Sequence, residues 1–178
     1  QNSFPKSFYL SFSDRRMFGK ISFLTPWEFE NLQNKYGPSP LSQELSSQKL
    51  SQILQKKKTG IKNFLMEQDK IGGLGNIYVT EALFMTKIHP ETKTYNIPPE
   101  KIEDLSKSIR KAVKSGISHG GTTLADGMYK DIFGKKGRNQ DFLQIYGKSK
   151  CPECGSKVEK KKIAGRSSYF CPTCQKKY

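Results

Sequence analysis

Four cysteines, all within the last 28 residues of a 178-residue chain, constrain this sequence more than anything else in it. They stand as Cys151, Cys154, Cys171 and Cys174, two C-x2-C pairs separated by sixteen residues. In that spacing two tight knuckles deliver four soft thiolates to one ion. Each pair encloses a proline, Pro152 or Pro172, whose restricted φ presets the knuckle. Four cysteines close a tetrahedral site, so the expectation is one structural Zn2+ with no open position for catalysis. The competing reading is two disulfides in a secreted domain. It fits less well, because no charged-then-apolar leader opens the chain and the first 150 residues contain no cysteine. A redox Cys-x-x-Cys fits less well again, since two copies lie in one short unit.

The charge balance bears on the partner. Lys and Arg number 31 against 16 Asp and Glu, a net charge of +15. Such an excess points to an anionic partner, nucleic acid first and an anionic membrane surface second. No run of about 18 apolar residues is present, so no transmembrane helix is expected. Eleven Phe and eight Tyr, with regular apolar periodicity, supply a modest core.

Along the chain, Phe8, Leu10 and Phe12, then Ile21 and Phe23, alternate as strands do. Thr25-Pro26-Trp27-Glu28 offers an N-cap, a first-position proline and a glutamate three residues after the cap. Gly37-Pro38-Ser39-Pro40 is a breaker and a domain boundary in this reading. Residues 41–119 read as mostly helical, from Leu41 and Leu45 through Leu50, Ile53 and Leu54 to Ile102, Leu105, Ile109 and Ala112. Gly120-Gly121 ends that region. Residues 126–141 read as a long exposed loop. The cysteine unit follows, with short strands expected at 157–159, 162–164 and 169–170.

Gly72-Gly73-Leu74-Gly75-Asn76 separates two helical segments. It is no P-loop, because no Lys-Ser/Thr follows, and no dinucleotide fingerprint, because no strand precedes it. A glycine turn opening a helix presents free N–H groups and the positive dipole end to a ligand. In a +15 chain that points to a DNA phosphate, and Lys56-Lys57-Lys58 with Lys62 just upstream adds to the case; the alternatives are a plain helix hairpin and a solvated basic face.

Taken together, these stretches resemble a known pattern. Ile71-Gly72-Gly73-Leu74-Gly75-Asn76-Ile77-Tyr78 with Glu81 resembles the helix–two-turn–helix of the formamidopyrimidine-DNA glycosylase family, which includes endonuclease VIII. Four further elements agree in order: Asp14-Arg15-Arg16-Met17-Phe18-Gly19, Ile88-His89-Pro90, Gly120-Gly121-Thr122-Thr123-Leu124, and Gly165-Arg166-Ser167-Ser168-Tyr169-Phe170-Cys171-Pro172 with Cys174-Gln175. The resemblance implies an α+β chain. Residues 1–37 would be remnant strands of a β-sandwich and 38–125 a mainly helical DNA-binding domain. Residues 126–147 would be a lesion-capping loop and connector, and 148–178 a four-cysteine zinc-finger hairpin.

The resemblance also implies roles. Arg16 matches the residue that fills the space left by a flipped base, and Phe18 the wedge between base pairs. Gly75 and Asn76 match a phosphate site at a helix N-terminus, Lys58 and Lys62 match DNA-contacting lysines, and Tyr146 matches another phosphate contact. Arg166 matches the hairpin arginine that grips phosphates beside the lesion and serves as elimination proton donor. The implied activity is that of a bifunctional DNA glycosylase and AP lyase on oxidised purines of the formamidopyrimidine and 8-oxoguanine type. The partner is damaged double-stranded DNA. No membrane is involved, the complete protein is a monomer, and the location is the bacterial cytoplasm at the nucleoid.

The family's nucleophile is the amine of an amino-terminal proline followed by glutamate. Here the sequence opens Gln1-Asn2-Ser3, and Pro5 is followed by Lys6. The expectation is a fragment or truncated product that keeps DNA and zinc binding and needs the amino-terminal half for activity. The alternative is a non-catalytic zinc-ribbon nucleic-acid binder without lesion preference. The Arg16/Phe18 loop separates the two, since a plain electrostatic binder has no use for it.

Overall fold

The computed structural model describes residue 12 and residues 19–178 except Lys56. Arg16 and Phe18 therefore lie outside the described residues, as do Phe8 and Leu10. Two compact units are present, residues 1–33 and 34–178.

In the first unit, helix α1 spans Pro26–Gln33. Its start follows from a reciprocal capping box. The Thr25 N–H donates to the Glu28 carboxylate at 2.8 Å, and the Glu28 N–H donates to Thr25 Oγ1 at 3.3 Å. None of its residues is buried. The strand expected at Ile21 and Phe23 is not there: residues 19–25 carry no ladder, and both side chains are exposed. Alternation favours a strand only where a neighbour takes up its backbone groups, and among the described residues no strand pairs with residues 20–25.

The second unit is helical, with one hairpin. Helices α2 (Ser47–Gln55), α3 (Ile61–Leu65), α4 (Asn76–Met85) and α5 (Pro99–Ser118) precede strands β1 (Glu159–Ile163) and β2 (Arg166–Phe170). The core joins Leu50 and Leu54 of α2, Phe64 and Leu65 of α3, Val79 and Leu83 of α4, and Ile102, Leu105 and Ile109 of α5. These positions recur at three- and four-residue steps, as one buried helical face requires. Pro99 sits in the first turn of α5, where its missing N–H costs nothing.

Leu41 and Leu45 are not helical, contrary to their spacing. The guanidinium of Arg110 on α5 donates to the carbonyls of Leu41, Ser42 and Leu45 at 2.8–3.1 Å, holding this stretch as turns. Helix α2 then starts behind Ser46, whose Oγ accepts the Lys49 N–H at 3.2 Å.

The ten residues between α3 and α4 form a compact double turn. Gln68 Oε1 accepts the Gly73 N–H, and Gln68 Nε2 donates to the Leu74 carbonyl. The segment at Gly37 crosses directly over it. A Cβ on Gly72 would come within 2.6 Å of the Gly37 carbonyl oxygen, and one on Gly37 within 2.4 Å of Lys70. Only glycine permits that approach.

At the other end of the unit the expected strands at 157–159 and 162–164 are one strand, β1, paired antiparallel with β2 from Glu159↔Phe170 to Ile163↔Arg166. Ala164 and Gly165, with φ of 51° and 70°, form the two-residue loop. Left-handed φ at both positions is what a tight hairpin turn demands. No helix among the described residues is long and apolar enough to cross a membrane.

Candidate nucleic-acid interface

The four cysteine sulfurs lie within 4.8 Å of one another and none is in a disulfide. Cys151 and Cys174 are 3.9 Å apart, Cys154 and Cys171 3.5 Å. A disulfide would bring two sulfurs to about 2 Å, whereas a tetrahedral zinc with Zn–S near 2.3 Å spaces them about 3.8 Å apart. Hydrogen bonding with Ser156 holds the Cys154 thiol down to about 6, while the neighbouring Cys154 pushes Cys174 up to about 12. Cys154 is thus mostly ionised at neutral pH while Cys174 holds its proton until a cation displaces it, and metal binding at a thiolate site releases protons in this way. The cluster suits one structural Zn2+, and Cys151 and Cys171, with Phe84, Ile145 and Val158, form a second small core.

That core seats the hairpin on α4. His89 packs edge-on against Phe170 with ring centroids 4.5 Å apart, and its Nδ1 accepts the Glu91 N–H. Burial lowers its pKa, so the ring is a neutral packing and hydrogen-bonding group. Lys161 of β1 pairs with Glu91 at 2.7 Å.

Between the first turn of α4 and the tip of the hairpin lies an open cleft of about 680 Å³. Its walls include Gly75, Asn76, Tyr146 and Arg166, four of the residues expected to meet DNA. The sequence separates them by as much as 91 residues, yet Asn76 Nδ2 donates directly to the Ser167 carbonyl at 3.0 Å. Gly75 is the N-cap of α4 in extended conformation, and no side chain caps the helix there. Its first-turn N–H groups, which have no partner within the helix, face the cleft mouth with the positive dipole end. Tyr146 packs against Tyr169 with centroids 4.9 Å apart, and burial raises its pKa. Its hydroxyl keeps its proton and can donate to an anion. Arg166 is exposed at the start of β2.

The two lysines part company. Lys58 is exposed just ahead of α3. Lys62, expected to contact DNA, is instead fully enclosed between α3 and α4, with Nζ donating to Thr80 Oγ1 at 3.1 Å. Burial pushes its pKa down to about 8. Its place on a short helix whose neighbours Ile61, Phe64 and Leu65 all face the core takes it away from the surface.

Glu81 carries a role that the sequence left unassigned. Buried on α4, its carboxylate accepts three consecutive backbone N–H groups: Gln144 at 2.6 Å, Ile145 at 3.0 Å and Tyr146 at 2.8 Å. It holds the turn at 144–146 that presents Tyr146 to the cleft. The one available signal was an acidic residue within an otherwise apolar helical run. The loop after α5 is anchored in a similar way by Asn139, whose side chain accepts from Ser115 and donates to Thr122. Its tip remains open, with Ile132 and Phe133 exposed.

The domain family described as the formamidopyrimidine-DNA glycosylase H2TH domain matches residues 36–127. The zinc finger found in FPG and IleRS matches residues 148–177. The formamidopyrimidine-DNA glycosylase of Chloroflexus aurantiacus is 37% identical over 168 residues, 93% of this chain and 60% of that protein. The protein of the same name from Pelotomaculum thermopropionicum is 40% identical over 171 residues, 94% of this chain and 61% of its own length. Among solved structures, MutM bound to DNA containing carbocyclic 8-oxo-G superposes with a TM-score of 0.83 at 36% identity, covering 93% of this chain and 61% of that one. Lactococcus lactis Fpg with DNA containing N7-benzyl-Fapy-dG gives 0.74 at 37%, covering 85% and 55%. The chain thus spans about three-fifths of the length of these relatives. With the helical domain and the zinc finger both matched and their relative order kept, the chain belongs to the formamidopyrimidine-DNA glycosylase family.

Proposed function

We propose that this chain grips damaged duplex DNA and forms the helical and zinc-finger part of a bifunctional DNA glycosylase and AP lyase acting on oxidised purines. The observation that carries the reading is the convergence of Gly75, Asn76, Tyr146 and Arg166 on one cleft in a chain of charge +15. Helix N-terminal N–H groups, a neutral phenol donor and a guanidinium on opposite walls suit consecutive phosphates of a bent strand. Arg16 and Phe18 are assigned to the vacated slot in the stack, where a guanidinium and a ring offset the cost of everting a base. Lys58 adds a peripheral phosphate contact. Arg166 is assigned the delivery of the proton in the final elimination step. Residues 1–37, 38–125, 126–147 and 148–178 are assigned as sandwich end, helical domain, lesion loop and finger. The working location is the bacterial cytoplasm, at the nucleoid.

In this reading the attacking amine belongs to a proline that these 178 residues do not carry at their first position. Attack at C1′ releases the base and forms a Schiff base, and strand cleavage follows by elimination.

The test is fluorescence anisotropy with duplexes that do or do not contain an abasic analogue. The chain is expected to favour the abasic duplex, with Arg16→Ala, Phe18→Ala or Arg166→Ala weakening it. Equal affinity for both duplexes with a steep salt dependence would instead establish the plain zinc-ribbon binder. Borohydride trapping on an abasic duplex, with the chain alone and with the amino-terminal half of a relative added, reports the amine. No adduct is expected from the chain alone.

A further inference from the structure

The metal knuckle and the cleft lie at opposite ends of the same hairpin, and one enclosed side chain hydrogen-bonds the knuckle's backbone directly to the chain just past α4. Gln175 directly follows the ligand Cys174 and is 2% exposed. Its Oε1 accepts the Cys171 N–H at 2.9 Å, and its Nε2 donates to the Ile88 carbonyl at 2.8 Å. Its own N–H donates to the Cys171 carbonyl at 3.0 Å. The amide orientation is set by chemistry, since a backbone N–H only donates and a carbonyl only accepts. Ile88 lies just past the C-terminal end of α4. Flanking rungs run from the His89 N–H to the Lys176 carbonyl at 2.8 Å and from the Lys176 N–H to the Lys87 carbonyl at 3.0 Å.

At the other end of α4, Asn76 reaches the Ser167 carbonyl beside Arg166. Beyond the Phe84 and His89 packing, hydrogen bonds therefore hold the hairpin beside α4 at both of its ends. The cleft point is one neutral hydrogen bond from a half-buried asparagine. The knuckle point is dry and built on a metal ligand's own backbone, as outer-shell partners of metal sites commonly are.

We propose that Gln175 is a positioning residue, through which the metal knuckle sets where the hairpin tip, and with it Arg166, stands over the first turn of α4. It acts through Cys171 on one side and Ile88 on the other and touches no nucleic acid itself. The consequence for affinity rests on the DNA-binding reading above; the mechanical link between knuckle and tip does not.

Two substitutions in the full 178-residue chain separate this role from plain support of the metal site. Gln175→Glu keeps an oxygen for the Cys171 N–H and loses the donor to Ile88. Gln175→Leu loses both. Each is loaded with Co2+ for its thiolate absorption spectrum and with Zn2+ for hydrogen exchange of the β2 amides and anisotropy on an abasic-analogue duplex. For Gln175→Glu the expected result is an unchanged Co2+ spectrum, faster exchange across Arg166–Phe170, and binding weaker by about tenfold, the net worth of one neutral hydrogen bond. Wild-type exchange and wild-type binding in Gln175→Glu overturn the proposal. So does a Co2+ spectrum that degrades in step with affinity, which would make Gln175 a support of the metal site alone. Should Gln175→Leu fail to fold, Gln175→Glu still decides. A wild-type chain that does not bind DNA, together with faster β2 exchange in Gln175→Glu, supports the positioning role while overturning the DNA reading.

Discussion

Replacing Glu81 by glutamine removes one atom's worth of chemistry from the centre of the unit and leaves the volume unchanged. The carboxylate accepts from Ile145 and Tyr146 at Oε1 and from Gln144 at Oε2. An amide offers one oxygen and one NH2. Its better orientation keeps the Ile145 and Tyr146 bonds and turns a donor onto the Gln144 N–H. One backbone donor then loses its partner, at about 1–3 kcal/mol, and two charge-assisted bonds become neutral, at about 1 kcal/mol each. The sum is about 4 kcal/mol, a large part of the 5–15 kcal/mol that holds a typical domain together. Urea unfolding followed by far-UV circular dichroism measures it, with Glu100→Gln as an exposed control expected within about 0.5 kcal/mol of wild type. Anisotropy on the abasic duplex should fall further than stability accounts for, because Tyr146 loses its support. A loss below about 1 kcal/mol for Glu81→Gln would refute the claim that this carboxylate organises the 144–146 segment.

Lys62 makes a pH prediction. Burial lowers its pKa from 10.5 to about 8, so between those values the unfolded chain holds more protons than the folded one, and stability rises with pH across that window. Below pH 8 the enclosed ammonium costs about 3 kcal/mol. Lys62→Met should raise the urea midpoint at pH 7 and flatten the rise between pH 8 and 10. Ala164→Gly should stabilise the hairpin by about 1 kcal/mol, by relieving a left-handed backbone that alanine tolerates poorly; thermal melts of the zinc-loaded chain check it. Chelation should release four titratable thiols and abolish duplex binding while most of the helical circular dichroism persists, because the main helical core contains none of the cysteines. Zinc should also be lost more readily as pH falls, since protons compete for the thiolates.

Local patterns alone specify the cysteine cluster, the capping box of α1, the proline start of α5, and the glycine turn ahead of α4. Each is a local pattern whose geometry follows from a few consecutive residues. The sequence by itself could not determine where Lys62 points, because a lysine on a five-residue helix faces solvent or core according to what packs beside it. Nor could it decide the conformation of Leu41 and Leu45, whose helical spacing is overruled by a guanidinium 65–69 residues away. Alternation at Ile21 and Phe23 failed for a related reason, since a strand is defined by its partner as much as by its own residues. The cleft belongs wholly to the tertiary structure. Gly75, Asn76, Tyr146 and Arg166 line one cleft only because Glu81 anchors one segment and the sulfur cluster with Gln175 anchors another. Long-range hydrogen bonds of that kind leave no periodic trace in the chain.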